Sequence, residues 1–407
     1  MYNIKVLSNG LKIAYEKLPY ARSVSAGVWV LSGSRCERTG GISHFIEHML
    51  FKGTKTKTAR QIAETMDLTG GQLNAYTTRE YTVYYSVTVA DKLTESLELL
   101  GDMIKNSVFR ESDIELEKNV VTEEIAMYED SPEDLVFDLL EEHAFLDNGL
   151  GKSITGTRES VRSITRDGIL EHMGSFYVPS NMVLSVAGNF SEDELLALAE
   201  KYFGDIESRP AEIGEIIKPE FHTGENILEK DIEQANLAIG FEGPGCMSEL
   251  RYPLLVLNNA FGGGMSSRLF QKIREESGLA YSVYTSIATY KDTGIYTVYA
   301  GLSDENLEKT REIINLEIER LLSEGLTDAE IERAKEQIRG SVILGGEGVG
   351  SHMSALGKGI LLTGKVREEE EILKKVESVT GGDVISAAGK IFGSGRSFTQ
   401  IVKGRTK

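Results

Sequence analysis

The sequence predicts an α+β fold of two duplicated domains, each a mainly antiparallel sheet with helices packed on one face. Three observations carry that expectation. At 407 residues the chain is too long for one ordinary core. It also repeats itself: Tyr81-Thr82-Val83-Tyr84 recurs as Tyr296-Thr297-Val298-Tyr299, an offset of 215. In the same register Asp113, Glu115, Leu116, Glu117 and Lys118 face Asp328, Glu330, Ile331, Glu332 and Arg333. In both halves a tyrosine-bearing strand pattern precedes a long helical one, at 91–105 and 304–322. Strands with helices segregated from them suit an antiparallel or mixed sheet layered against helices.

Taken in order, the elements begin with a hairpin. Val6-Leu7-Ser8-Asn9-Gly10-Leu11-Lys12-Ile13 sets two apolar runs around Asn-Gly, the strongest short turn signal. Strand patterns follow at 23–31, 81–90 and 182–186, and the last repeats at 397–402. Helical patterns occupy 42–52, 59–68, 114–128 and 329–343. Arg209-Pro210 to Lys218-Pro219 holds two of the seven prolines and reads as a connector. The expected boundaries are a first domain at 1–210, a linker at 211–224 and a second domain at 225–407.

Composition narrows the function. With 41% hydrophobic and 26% charged residues, the chain is of the soluble globular class, and no run reaches the 18 or so apolar residues of a spanning helix. A net charge of −19 without a basic patch argues against nucleic acid as a partner. Two cysteines, Cys36 and Cys246, cannot build a disulfide framework, which fits a reducing compartment. The amino terminus has neither the basic start nor the apolar run of a signal peptide, so a bacterial cytoplasmic location is expected.

The chemistry concentrates at Ser43-His44-Phe45-Ile46-Glu47-His48-Met49-Leu50-Phe51. No proline or glycine interrupts 42–52, so the segment reads as helix and His44 and His48, four apart, share one face. Two neutral imidazoles that share a cation, with Glu47 beside them to take a proton from water, are the parts of a hydrolytic zinc site. Six histidines in 407 residues would produce His-x-x-Glu-His by chance in about one such chain in a hundred. The apolar neighbours Phe45, Ile46, Met49 and Leu50 argue for a buried helix over surface histidines. Catalytic zinc usually takes three protein ligands. The third is sought in Glu117-Lys118-Asn119-Val120-Val121-Thr122-Glu123-Glu124-Ile125. Glu117 and Glu124, seven apart, lie on one helical face, and Glu123, about 100° round from Glu124, competes with it. If Glu124 is the ligand, Glu117 is free to orient a histidine from behind. The repeat offers an internal control: at the same offset His44, Glu47, His48 and Glu124 become Asn259, Gly262, Gly263 and Arg339. The second half therefore cannot hold this metal.

With these residues the sequence resembles the pitrilysin-type (inverzincin, M16) zinc metallopeptidases, and within them the mitochondrial-processing-peptidase-like branch. The resemblance rests on His44-x-x-Glu47-His48 with its continuation Phe51-Lys52-Gly53-Thr54, and on Glu124 lying 76 residues after His48. It extends through Leu150-Gly151-Lys152-Ser153-Ile154-Thr155-Gly156, Tyr177-x-x-x-Asn181-Met182-Val183-Leu184 and Gly262-Gly263-Gly264-Met265-Ser266-Ser267-Arg268-Leu269-Phe270. By that match His44, His48 and Glu124 are zinc ligands, Glu47 is the general base and Glu117 supports the site. Asn74-Ala75 match an edge strand that pairs with substrate backbone. Arg274 and Tyr281 match a pair that contacts substrate near the scissile bond, where they hold developing oxyanion charge. Related long-chain members close four such domains around a chamber, and this chain has two, so the resemblance implies a homodimer that encloses the chamber. The glycine-rich 262–264 lacks the lysine of a phosphate loop and reads as a substrate-contacting or hinge loop.

The function expected is a zinc-dependent endopeptidase acting on peptides or unfolded segments inside a dimeric chamber. Glu115, Glu123, Glu129, Asp130, Glu133 and Asp134 favour basic peptides. The alternative is a catalytically inert subunit, like a processing-peptidase partner or respiratory core protein, that binds peptides or partners. Such relatives usually lose a motif residue, whereas this chain keeps all four. A third class, a chaperone-like protein that encloses peptides, predicts binding that survives chelation.

Overall fold

The computed structural model describes residues 2–214 and 216–405. Among these, eleven strands form two sheets. They are β1 (Asn3–Val6), β2 (Lys12–Lys17), β3 (Ser23–Val30), β4 (Gln72–Thr77), β5 (Thr82–Val89), β6 (Met182–Gly188), β7 (Gly224–Lys230), β8 (Ala235–Gly243), β9 (Ala280–Thr289), β10 (Gly294–Leu302) and β11 (Ser397–Gly404). The first sheet runs β1-β2-β6-β3-β5-β4 and the second β7-β11-β8-β10-β9. Without β1 the two orders correspond strand for strand. The β2·β6 and β7·β11 pairs are parallel and the other pairs antiparallel. The duplication seen in sequence is thus a duplication of topology.

The expected hairpin forms between β1 and β2, with Val6 opposite Lys12. Its connection is longer than a two-residue turn. Asn9 Nδ2 donates to Phe203 O at 2.8 Å, tying the turn to the helix Glu192–Phe203. The helix expected at 59–68 spans Ala59–Leu68, started by a reciprocal cap between Thr58 and Gln61. The other helices differ at their ends. The one expected at 42–52 stops at Met49, and those expected at 114–128 and 329–343 extend to Glu111–Glu129 and Asp328–Gly345.

The central strands of each sheet are buried on both faces. Val24, Ala26, Val28 and Val30 of β3 face one core with Leu184 and Val186 of β6, while Trp29 and Val183 face the other side. That second side is covered by Met353, Leu356 and Ile360 of the helix Val349–Thr363, which comes from the opposite half of the sequence. The second sheet shows the reciprocal arrangement. Val136, Leu140 and Ala144 of the helix Pro132–Ala144 cover Ala238, Ile295 and Val402. Helices on a single face thus become a main helical layer on one face and one exchanged helix on the other.

The compact units are accordingly discontinuous, where the sequence suggests continuous halves at 1–210 and 225–407. One unit comprises Met1–Ala126, Lys152–Ile217 and Gly345–Glu368; the other comprises Met127–Gly151, Lys218–Leu344 and Glu369–Lys407. The physical reason is burial. A sheet face rich in Val, Trp and Tyr must be covered, and the covering helix need not be local in sequence.

The exchanged helix packs closely because glycines meet it. A Cβ on Gly357 would lie 2.0 Å from Trp29 Nε1, and one on Gly27 would lie 2.5 Å from Met353 Sδ. The indole is held in place by its own hydrogen bond, Nε1 donating to Ser185 Oγ at 2.8 Å. Gly357→Ala is expected to destabilise the protein by about 1–3 kcal/mol through overpacking. Gly340→Ala, in a helix where an added Cβ meets nothing within 4 Å, should instead stabilise it by about 0.5–1 kcal/mol. Urea denaturation followed by the fluorescence of Trp29, the single tryptophan, checks both.

Candidate metal centre

The site is built on the short helix Ile42–Met49. Phe45, Ile46 and Met49 are fully buried against the first sheet, and this turns His44, Glu47 and His48 to the remaining faces. Gly41, at φ 81°, offers no side chain to cap the helix. The Glu37 carboxylate does so instead, accepting from the backbone N–H of Gly41 and from that of Ser43 at 3.1 Å. Burial pushes the Glu37 carboxyl up to about 7, against the pull of those N–H donors. After Met49 the chain leaves the helix, and Thr54 is fixed by donating to Asp102 Oδ2 at 2.6 Å.

The second wall is the helix Glu111–Glu129, seated by buried Ile114, Val121 and Ile125. It brings Glu124 to the histidines, with Oε1 3.7 Å from His44 Nε2 and Oε2 3.5 Å from His48 Nε2. Glu123 is exposed. The ligand atoms of His44, His48 and Glu124 lie within 4.8 Å of one another, and no other such group occurs among the described residues. The separations of 3.5 and 3.7 Å are long for hydrogen bonds. They match the roughly 3.4 Å between neighbouring ligands on a tetrahedral ion with bonds of about 2.1 Å. The three side chains therefore fit a divalent metal.

Glu117, seven residues before Glu124, serves differently. Its Oε1 is 2.8 Å from His48 Nδ1 and its Oε2 is 2.5 Å from Lys52 Nζ. A carboxylate on Nδ1 selects the tautomer whose Nε2 lone pair points at the metal position. His44 differs: its buried Nδ1 has no hydrogen-bond partner among the described residues.

Electrostatics separate the four groups. Burial, aided by the nearby His48, lowers His44 to about 4, keeping it the neutral imidazole that a metal needs. Burial also pulls on His48, but the Glu117 hydrogen bond and the surrounding carboxylates outweigh it and raise its pKa. Glu117 is buried yet shifted down, because His48 and Lys52 stabilise its charge. Glu124 is shifted up by burial, against the pull of His48 and with a smaller push from the charge of Glu117. Glu47 is shifted up by burial, with an opposing hydrogen bond from Thr77 Oγ1 to its Oε2 at 2.5 Å.

The remaining expected residues fall in two places. Asn74 and Ala75 lie on β4, the edge strand of the first sheet. Ala75 packs toward the core, whereas Asn74 is exposed, its Oδ1 accepting from the Ala75 N–H at 2.8 Å. Arg274 and Tyr281 belong to the other unit, where the structure brings them together. The Arg274 guanidinium lies 5.0 Å from the ring centroids of both Phe270 and Tyr281. Tyr281 is 75% exposed. Arg274 sits on a π-helical turn, Phe270–Glu276, a rare geometry frequent at functional sites.

Two side chains at the site escaped the sequence reading of single roles. Lys52 and Thr77 both lie inside motifs that were legible, Phe51-Lys52-Gly53-Thr54 and Gly70 to Thr77, but their partners Glu117 and Glu47 are 65 and 30 residues away in sequence. No local spacing reports such a pair.

With the geometry established, comparison with known proteins is direct. Residues 12–158 match the family described as insulinase (peptidase family M16), and residues 163–338 match the peptidase M16 inactive domain. A Bacillus subtilis protein named uncharacterized zinc protease YmxG is 44% identical over 386 residues, covering 94% of each chain. This chain belongs to peptidase family M16. Among solved structures, a peptidase M16 inactive domain from Pseudomonas fluorescens has a TM-score of 0.93 at 18% identity, covering 100% of this chain and 98% of that one. A protease from Helicobacter pylori has a TM-score of 0.91 at 22% identity, covering 99% of both. These two likenesses speak for the M16 fold. The match to the inactive domain covers most of the half in which Asn259, Gly262 and Gly263 stand at the repeat positions of the motif.

Glu117→Gln is expected to weaken zinc binding about 10- to 100-fold, because the amide holds the His48 ring less firmly. Competition against a chromophoric chelator measures it, with unchanged circular dichroism showing that the fold survives.

Proposed function

We propose that this M16 protein is a zinc-dependent endopeptidase that hydrolyses peptides or unfolded segments within a homodimeric chamber. The observation that carries the reading is the convergence of His44, His48 and the Glu124 carboxylate, with Glu47 alongside and Glu117 behind His48. The relatives' name, zinc protease, supports zinc as the metal, as does a donor set of two imidazoles and a carboxylate. When bound, zinc supplies a Lewis acid and lowers the proton affinity of a water molecule.

The protein's own groups do the rest. Glu47 takes the proton of the attacking water and returns it to the leaving amine. The β4 edge at Asn74-Ala75 takes substrate backbone as an added strand. Arg274 and Tyr281 contact the substrate near the scissile bond, where a guanidinium and a phenol stabilise oxyanion charge. The net charge of −19 and the exposed Glu115, Glu123, Glu129, Asp130, Glu133 and Asp134 support a preference for basic peptides. No helix of the described residues is long and apolar enough to cross a membrane. The bacterial relatives and two cysteines, too few for a disulfide framework, support a bacterial cytoplasmic location.

The test is cleavage of a quenched-fluorescent basic peptide by zinc-loaded protein beside Glu47→Gln of equal metal content. The wild type should cleave, and the variant should lose about 10²- to 10⁴-fold in rate. Failure of both to cut a diverse peptide set despite stoichiometric zinc would replace this reading with the inert subunit. Sedimentation at assay concentration should find a dimer, and full activity in a dilute monomer would remove the chamber.

A further inference from the structure

We propose that Thr77 is a positioning residue that aims the Glu47 carboxylate, and that Thr82 and the Ser32 carbonyl fix Thr77 in turn. The inference rests on the reading of Glu47 as general base, and it adds a residue to which that reading assigns no role. Glu47 lies on a helix, but its carboxylate can still rotate, and a base must be held within about 0.5 Å of its working position. Thr77 Oγ1 donates to Glu47 Oε2 at 2.5 Å from the last residue of β4. The base is therefore braced from the sheet as well as from its own helix.

The neighbours determine how Thr77 uses its single proton. Thr82 stands directly opposite Thr77 in the β4·β5 register, with the two hydroxyl oxygens 3.2 Å apart. Thr82 is fully buried and donates its own proton to Ser32 O at 2.9 Å. Toward Thr77 it then offers only an acceptor. Thr77 is left with two acceptors, and the closer, charged Glu47 oxygen takes the proton. When Glu47 carries a proton taken from water, the same hydroxyl can accept from it and donate to Thr82 instead. A hydroxyl thus holds the carboxyl in both halves of a turnover, whereas a methyl group at that place holds it in neither.

Position also ties this brace to the substrate edge. Thr77 is two residues past Ala75 and points to the same side of β4, in the alternation of Leu73, Ala75 and Thr77. A shift of this strand moves the base with it, so binding along the β4 edge and alignment of Glu47 share one rigid element.

Thr77→Val and Thr77→Ser test the proposal in zinc-loaded protein. The valine variant should lower kcat about tenfold to a hundredfold while KM and zinc affinity stay within about twofold, since only alignment of the base is lost. The serine variant, which keeps the hydroxyl, should stay within about threefold of wild type. Crystal structures of both variants supply a readout independent of activity. Glu47 should leave its position in Thr77→Val and keep it in Thr77→Ser. An unmoved Glu47 in the valine variant, or an unchanged kcat, overturns the proposal. If no form of the protein cleaves any peptide, the peptidase reading falls, and the position of Glu47 in the two crystals still decides what Thr77 does.

Discussion

Everything at the candidate centre depends on how the helix Ile42–Met49 is seated. Phe45, Ile46 and Met49 enter the core of the first sheet, each contributing about 1.5–3 kcal/mol of burial. That anchoring leaves the helix one orientation about its axis. In it His44 and His48 present their rings toward the helix Glu111–Glu129, and Glu47 reaches toward the end of β4. A helix this short is unstable alone in water. It persists here through the core beneath it and the Glu37 carboxylate on its first N–H groups.

Charge placement follows from that geometry. Glu117 and Glu124 are one residue type on one helical face, yet their proton affinities move in opposite directions. Glu117 lies between a histidine and a lysine, both of which stabilise its charge. Glu124 faces ring nitrogens at 3.5 and 3.7 Å, and burial together with the repulsion of Glu117 outweighs the pull of His48 on it. A carboxylate without a close donor beside two imidazole nitrogens is one whose natural partner is a cation.

The exchanged helices explain why a duplicated chain does not fall into two consecutive domains. Each sheet has a second apolar face, and in each case the cover comes from the opposite half of the sequence: Val349–Thr363 for the first sheet, Pro132–Ala144 for the second. Both exchanged helices directly follow long ones, Asp328–Gly345 and Glu111–Glu129, at which the chain passes from one compact unit to the other. The unit that carries the candidate metal centre is thereby completed by sequence from the second half of the chain.

The sequence by itself determined the repeat, the α+β class and the candidate residues of the centre, because self-similarity and helical spacing are both read along the chain. His44, Glu47 and His48 sit on one helix, and Glu117 and Glu124 sit two turns apart on another. The choice of Glu124 over Glu123 needed resemblance as well as spacing, and the structure shows the physical difference in which carboxylate faces the rings. Only the tertiary structure decided the hydrogen bonds of Lys52 with Glu117 and of Thr77 with Glu47, the cation–π pairing of Arg274 with Tyr281, and the helix exchange. The bonds at the centre join residues on different elements, and the exchange is set by which apolar face remains uncovered. Periodicity reports which side of an element is buried, but not which distant segment buries it.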